Sequence, residues 1–330
     1  MRAMVVEEPG RPLAARDLAE PRAQAGEVLI RVHACGVCRT DLHITDGELP
    51  LHKRPIVPGH QVVGVVEEPS YGKRFKAGDR VGVAWLASAC GACRYCREGL
   101  ENLCEKALFT GYDRDGGYAE LVTADERFCY AIPPGYPDLS AAPLLCGGLI
   151  GFRAWRMCGP VERIGFYGFG SAAHIILQVA RNAGQRTYAF VRTGDVAAER
   201  FALDRGADWA GDSMRPAQEP LDAAIIFAAA GELVPAALRA VRPGGTVVCA
   251  GIHMSDIPSF PYSILWGERV LRSVANLTRQ DGIDFLELAP TIPIEAFIET
   301  HPLSDANLAL ERLRAGSVLG SAVLVVGSDA

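Results

Sequence analysis

From about residue 151 to residue 250 the chain alternates short apolar runs with stretches of helical spacing, and that rhythm admits few folds. The runs at 163–168, 186–191, 223–228 and 246–250 read as buried strands, too short for buried helices. Between them, 171–183, 196–205 and 232–241 repeat apolar residues at helical spacing. Such alternation predicts an α/β fold with a doubly wound parallel sheet. The first 150 residues differ. Runs at 27–32, 61–67, 79–84 and 117–123 predict strands, punctuated by turn signals at Gly47, Pro58-Gly59 and Gly78-Asp79. The stretch 88–104, rich in glycine and cysteine, has no periodicity, so something other than an apolar core must hold it. After about 285 the chain ends with a helix at 305–314 and a strand at 322–326. The expected division is therefore 1–150, 151–284 and 285–330, and no internal repeat is found.

A chain of 330 residues has length for roughly two domains. It carries 33 basic and 39 acidic residues, a net charge of −6, which gives no basic face for nucleic acid or an anionic membrane. No apolar run approaches the ~18–20 residues of a bilayer span. Residues 1–12 include Glu7 and Glu8 and lack the apolar stretch of a signal peptide. A cytoplasmic protein is expected, and there ten cysteines point to metal or catalytic roles before disulfides.

Cys90, Cys93, Cys96 and Cys104 crowd one loop among small and polar residues (Gly91, Ala92, Arg94, Gly99). Four thiolates at such spacing suit tetrahedral Zn²⁺ and leave no coordination position free, so this set predicts a structural site. A redox disulfide pair and a nucleic-acid-binding zinc ribbon are the alternatives; the acidic chain argues against the ribbon. A second set is dispersed: Cys38 after a strand, His60 after Pro58-Gly59, and Cys146 before Gly147-Gly148. Two thiolates and one imidazole would balance Zn²⁺ and leave one position for substrate. Taken singly, His60 also reads as a core histidine and Cys146 as a small apolar residue. Cys35, Cys129, Cys158 and Cys249 read as buried apolar residues.

Gly168-Phe169-Gly170-Ser171-Ala172-Ala173 follows an apolar strand and opens a helix. Glycines there permit a tight turn and let backbone N–H groups approach a pyrophosphate at the helix N-terminus. The acid that usually grips the ribose about 20 positions on is missing. Asp195 reads better as a helix cap. Arg192 stands nearby, and either meets a 2′-phosphate, a lean towards NADP(H), or is an exposed arginine at a strand end.

Over nearly its whole length the sequence resembles the zinc-dependent alcohol dehydrogenases of the medium-chain dehydrogenase/reductase family. The resemblance rests on 38–43, Gly59-His60, the four-cysteine loop, Cys146-Gly147-Gly148 and 168–173, in that order. That family is the standing example of a two-cysteine, one-histidine zinc site, so the ligand types belong to the resemblance and are not separate support for it. It implies a GroES-like β-rich catalytic domain, a Rossmann cofactor domain, and a C-terminal segment returning to the first. It implies two zinc ions per chain, a catalytic one on Cys38, His60 and Cys146 and a structural one on the four-cysteine loop. Thr40 corresponds to the hydroxyl beside the substrate oxygen, and His43 to the outer end of a proton relay. Asp41 corresponds to the group orienting the histidine ligand. Arg39 and the turn residues Gly168, Gly170, Ser171 and Ala173 correspond to pyrophosphate contacts. Backbone at Ala250, Gly251 and Ile252 corresponds to the nicotinamide contact, with Arg279 a further cofactor candidate. Leu49 and Trp85 correspond to pocket walls. The sequence departs at Gln61, where the family usually has glutamate, at Ile150, often threonine, and near Gly320-Ser321, where an arginine is common.

The resemblance implies reversible oxidation of a primary or secondary alcohol to an aldehyde or ketone with NAD(P)⁺, in a homodimer or homotetramer. The alternatives are a zinc-containing aldehyde or enal reductase of the same family and a catalytically weak nucleotide-binding regulator.

Overall fold

The computed structural model describes residues 1–327 apart from 71, 73 and 293. The chain divides into two compact units: Met1–Cys146 with the segment from Leu277 onward, and Gly147–Asn276.

The first unit is built on the long strand Glu27–Val37, buried along most of its length. It pairs antiparallel with Val62–Glu68, with Ser321–Val325 and with Leu121–Asp125. Arg80–Val83 and Cys129–Ala131 extend this sheet on one side, and Ile298–Pro302 on the other. The C-terminal strand thus completes a sheet begun near the N-terminus. An apolar core (Ile30, Val32, Ile44, Val62, Tyr118 and Leu324 among others) fills the interior, and Leu310 of the helix Ala306–Arg314 seals it. Residues 117–120 fall outside the strand expected over 117–123. Here the chain turns to the N-terminal strand: Tyr118 accepts from Met4 N–H at 2.8 Å, and Ala119 bridges Ala3.

The second unit carries a six-stranded, all-parallel sheet in the order Trp209–Asp212, Arg186–Val191, Arg163–Tyr167, Leu221–Ile226, Val241–Cys249, Val270–Ser273. The central strand Leu221–Ile226 is buried at every residue, as a sheet covered on both faces requires. Stacked Tyr167 and Phe190 rings, 4.2 Å apart, anchor its core. The strand order reverses between Arg163–Tyr167 and Leu221–Ile226, and in such sheets ligands bind beyond the carboxyl ends at that point. The strand Val241–Cys249 begins earlier than the expected 246, running through Arg242-Pro243-Gly244-Gly245 with a bulge against Leu221–Ala223. Among the described residues no helix is long and apolar enough to cross a membrane.

Candidate metal centres and nucleotide turn

Cys38 directly follows the longest strand and caps the helix Arg39–Thr45, its Sγ accepting from Thr40 N–H at 3.4 Å. His60 enters from a turn that only glycine can make. Gly59 has φ +95°, and a Cβ there would meet the Tyr118 ring at 2.3 Å and Cys35 Sγ at 2.8 Å. Cys146 follows the short 3₁₀ turn Ala142–Leu145.

These three elements bring their side chains together. His60 Nε2 lies 3.3 Å from Cys38 Sγ and 3.4 Å from Cys146 Sγ, and the two sulfurs are 3.9 Å apart. Asp41 stands on the other side of the ring, its Oδ1 3.4 Å from His60 Nδ1. Burial pulls the His60 pKa down, but the Cys38 thiolate and the Asp41 carboxylate outweigh it and carry the ring up to about 10. Surroundings negative enough to hold a proton on this imidazole are equally suited to a divalent cation, which would displace that proton. The donor set, two thiolates and one imidazole, suits Zn²⁺ and leaves one position for another ligand.

The four loop cysteines also converge, all four sulfurs lying within 4.8 Å of one another. Cys93 and Cys96 sulfurs are 3.5 Å apart and those of Cys90 and Cys96 3.9 Å, too far for disulfides. Backbone N–H groups point at the sulfurs: Ala92 and Cys93 donate to Cys90, and Lys106 to Cys104. Those donors hold the Cys90 thiol down to about 6, which favours the metal-ligating thiolate. Glu101 of this loop accepts from Arg279 Nε at 2.8 Å, and the Arg279 guanidinium also lies over the Phe128 ring. Arg279, expected at the cofactor, here ties this loop to the helix Arg279–Leu288.

Thr40 is buried one residue beyond Arg39, which is exposed. His43, largely buried, pairs through Nδ1 with Glu48, a partner the sequence did not reveal. Trp85 meets the His60 ring edge-on at 5.1 Å and stacks on Phe109 and Tyr112, with Leu49 packed against the same core. Gln61 is buried against Gly36, where a Cβ would lie 2.5 Å from Gln61 Oε1. Cys35 is buried, as expected of an apolar residue, and helps to shape the Gly59 turn together with Tyr118, which the sequence reading passed over.

In the second unit Gly168 has φ +89° and a Cβ there would strike Ala228, whereas one on Gly170 would meet nothing within 4 Å. Gly170, which has no side chain, caps the helix Ser171–Asn182, and helix N-terminal N–H groups suit an anion. This cradle fits a dinucleotide pyrophosphate. Ala250 and Gly251 N–H both donate to Ile226 O, which fixes the backbone beyond the neighbouring strand. Arg192 is exposed.

One chain thus joins a parallel sheet of the dinucleotide-binding type to a β-unit carrying two clusters of side chains that could hold metal ions, the pattern of an α/β oxidoreductase. The comparisons narrow it. Residues 24–134 match the alcohol dehydrogenase GroES-like domain. The probable alcohol dehydrogenase AdhA of Mycobacterium tuberculosis is 46% identical over 315 residues, 93% of this chain and 90% of that protein. A Sorghum bicolor cinnamyl alcohol dehydrogenase superposes with a TM-score of 0.91 at 27% identity, covering 100% of this chain and 98% of that one. A cobalt- and zinc-bound thermostable alcohol dehydrogenase from Pyrobaculum aerophilum gives 0.89 at 27% identity, covering 99% of each. The chain belongs to the alcohol dehydrogenases of the medium-chain dehydrogenase/reductase family.

Proposed function

We propose that this chain is a zinc-dependent enzyme interconverting an alcohol and its aldehyde or ketone with NAD(P)⁺. The observation that carries the reading is the convergence of Cys38, His60 and Cys146, a three-ligand set with one position left for a substrate oxygen. The four-cysteine set reads as a closed structural site, making two zinc ions per chain. A zinc ion held by Cys38, His60 and Cys146 would supply Lewis acidity toward the substrate oxygen, and a bound nicotinamide would accept the hydride.

The chain's own residues do the rest. Asp41 orients the His60 ring by taking its Nδ1 side, leaving Nε2 toward the sulfurs. The Thr40 hydroxyl would accept the proton of the substrate hydroxyl as it passes its own on, and His43 would stand at the outer end of that relay. A carboxylate can only accept, so Glu48 holds a proton on His43 Nδ1 and makes Nε2 the atom that receives the next one. Leu49 and Trp85 give the substrate an apolar wall. Backbone N–H groups over 168–173 would hold the pyrophosphate and backbone at Ala250, Gly251 and Ile252 would meet the nicotinamide, with Arg39 a candidate for a further phosphate contact.

Arg192 favours NADP(H). The strand Arg186–Val191 runs into Arg192-Thr193-Gly194 with no acid at its end, and Asp212 of the next strand accepts from Thr193 Oγ1 and Met214 N–H through Oδ1. Cysteines used as metal ligands and not as disulfides fit a reducing compartment such as the cytoplasm. A homo-oligomer is supported by the mostly exposed edge strand Val270–Ser273, beside exposed Trp266.

The test is zinc content together with turnover over a panel of alcohols and aldehydes, with each cofactor in turn. Two zinc ions per chain and alcohol-dependent cofactor reduction, stronger with NADP⁺, are expected. A single zinc ion with no turnover would overturn the catalytic reading; a preference for NAD⁺ would overturn only the role of Arg192.

A further inference from the structure

The helix Ser171–Asn182 turns an apolar face inward (Ala173, Ile175, Ile176, Leu177, Val179, Ala180), and His174 is buried on it with no accessible surface. A buried imidazole on such a face is costly unless its polar atoms are used. Here they are used in an unusual way. His174 N–H donates to Gly170 O at 3.1 Å, the ordinary first bond of the helix, and ring Nδ1 lies 3.0 Å from the same oxygen. A carbonyl oxygen only accepts, so Nδ1 carries the hydrogen and one residue supplies both donors to one carbonyl. Burial pushes the ring down to about 4, with the Arg205 charge acting in the same direction, so at neutral pH the imidazole is uncharged. The Phe201 ring, 5.8 Å away, packs against it, and Phe201 in turn meets Phe169 of the glycine turn edge-on at 5.9 Å.

The carbonyl of Gly170 and the N–H of Ser171 belong to one planar trans peptide and point in opposite directions. An oxygen held into the helix by two donors therefore aims the Ser171 N–H out of the helix N-terminus; beside it, a Cβ added on Gly170 would meet nothing within 4 Å. We infer that His174 is a positioning residue for the dinucleotide, locking the Gly170–Ser171 peptide so that its N–H is set for a phosphate oxygen before the cofactor arrives. This rests on the reading of 168–173 as the phosphate turn, and the experiment separates the two.

The zinc-loaded full-length protein is titrated with NADPH and with NADH, following nucleotide fluorescence, and its thermal unfolding is recorded in parallel. His174→Leu removes the second donor and keeps the bulk. His174→Asn places an amide nitrogen where Nδ1 stands. Ser171→Pro deletes the aimed N–H at a helix position where proline is well tolerated. His174→Leu is expected to weaken binding about tenfold, the worth of one preset hydrogen bond. His174→Asn should restore most of it, Ser171→Pro should weaken binding alike, and adding His174→Leu to Ser171→Pro should cost little more. Should the leucine variant not fold, His174→Met supplies the apolar arm. Wild-type affinity in the apolar variant, or an asparagine variant that is folded but as weak as the leucine one, overturns the role of His174. Wild-type affinity in Ser171→Pro overturns the phosphate-turn reading itself.

Discussion

Asp41 lies behind His60, its Oδ1 3.4 Å from the ring Nδ1, and both side chains are buried. The same Oδ1 accepts from Gly59 N–H at 3.2 Å, and Oδ2 accepts from Cys38 N–H at 2.9 Å. One carboxylate thus ties the backbone of Cys38 and Gly59 to the His60 imidazole.

Replacing it with the isosteric amide, Asp41→Asn, removes the charge and turns an NH₂ toward at least one of these donors. Zinc affinity at the three-ligand site should fall 10–100-fold, the usual cost of losing such support. Competition with a chromogenic chelator measures it. Wild-type zinc retention would show that the carboxylate serves the fold and not the metal.

Cys146→Ser should lower the zinc content from two ions per chain to one and abolish turnover, with far-ultraviolet circular dichroism unchanged. Elemental analysis beside steady-state rates checks this. Full activity in the variant would mean that Cys146 is not a ligand.

The four-cysteine loop has only a small apolar cluster beneath it, Leu86, Ala89, Cys104 and Phe128. Its order should therefore depend on metal, and Cys96→Ser should expose 88–104 to limited proteolysis and lower the melting temperature. Metal bound to such sites contributes folding energy directly. A variant as resistant to protease as wild type would show that packing alone holds the loop.

His174 gives stability a pH dependence of known sign. Its folded pKa is about 4, against an ordinary value near 6.5, so below pH 6.5 the unfolded chain takes up a proton that the folded chain refuses. The stability conferred is present above that range and is lost as pH falls from 6.5 towards 4, by at most about 1.4 kcal/mol per pH unit. Urea unfolding between pH 7 and pH 4 should show a shallower decline for His174→Leu than for wild type. Parallel curves would contradict the buried neutral ring.

Much of this was legible along the chain because it is local. The apolar runs at 163–168, 186–191 and 223–228 correspond to the strands Arg163–Tyr167, Arg186–Val191 and Leu221–Ile226, and burial on both faces accounts for their continuous apolar character. The strand Trp209–Asp212 went unread, since a short edge strand carries little pattern. Val241 reads as the last residue of the helical stretch 232–241, yet pairing with Leu221 draws it into the sheet.

By itself the sequence determined which side chains could bind metal and where a glycine turn would open a helix, because ligand chemistry and backbone freedom belong to individual residues. Only the tertiary structure decided that Cys38 and Cys146, 108 positions apart, stand 3.9 Å from each other. It also decided that Glu48 partners His43, that Glu101 takes Arg279, and that the His174 ring turns back onto Gly170. Such pairings are set by how strands and loops pack in three dimensions, and no periodicity along the chain records them.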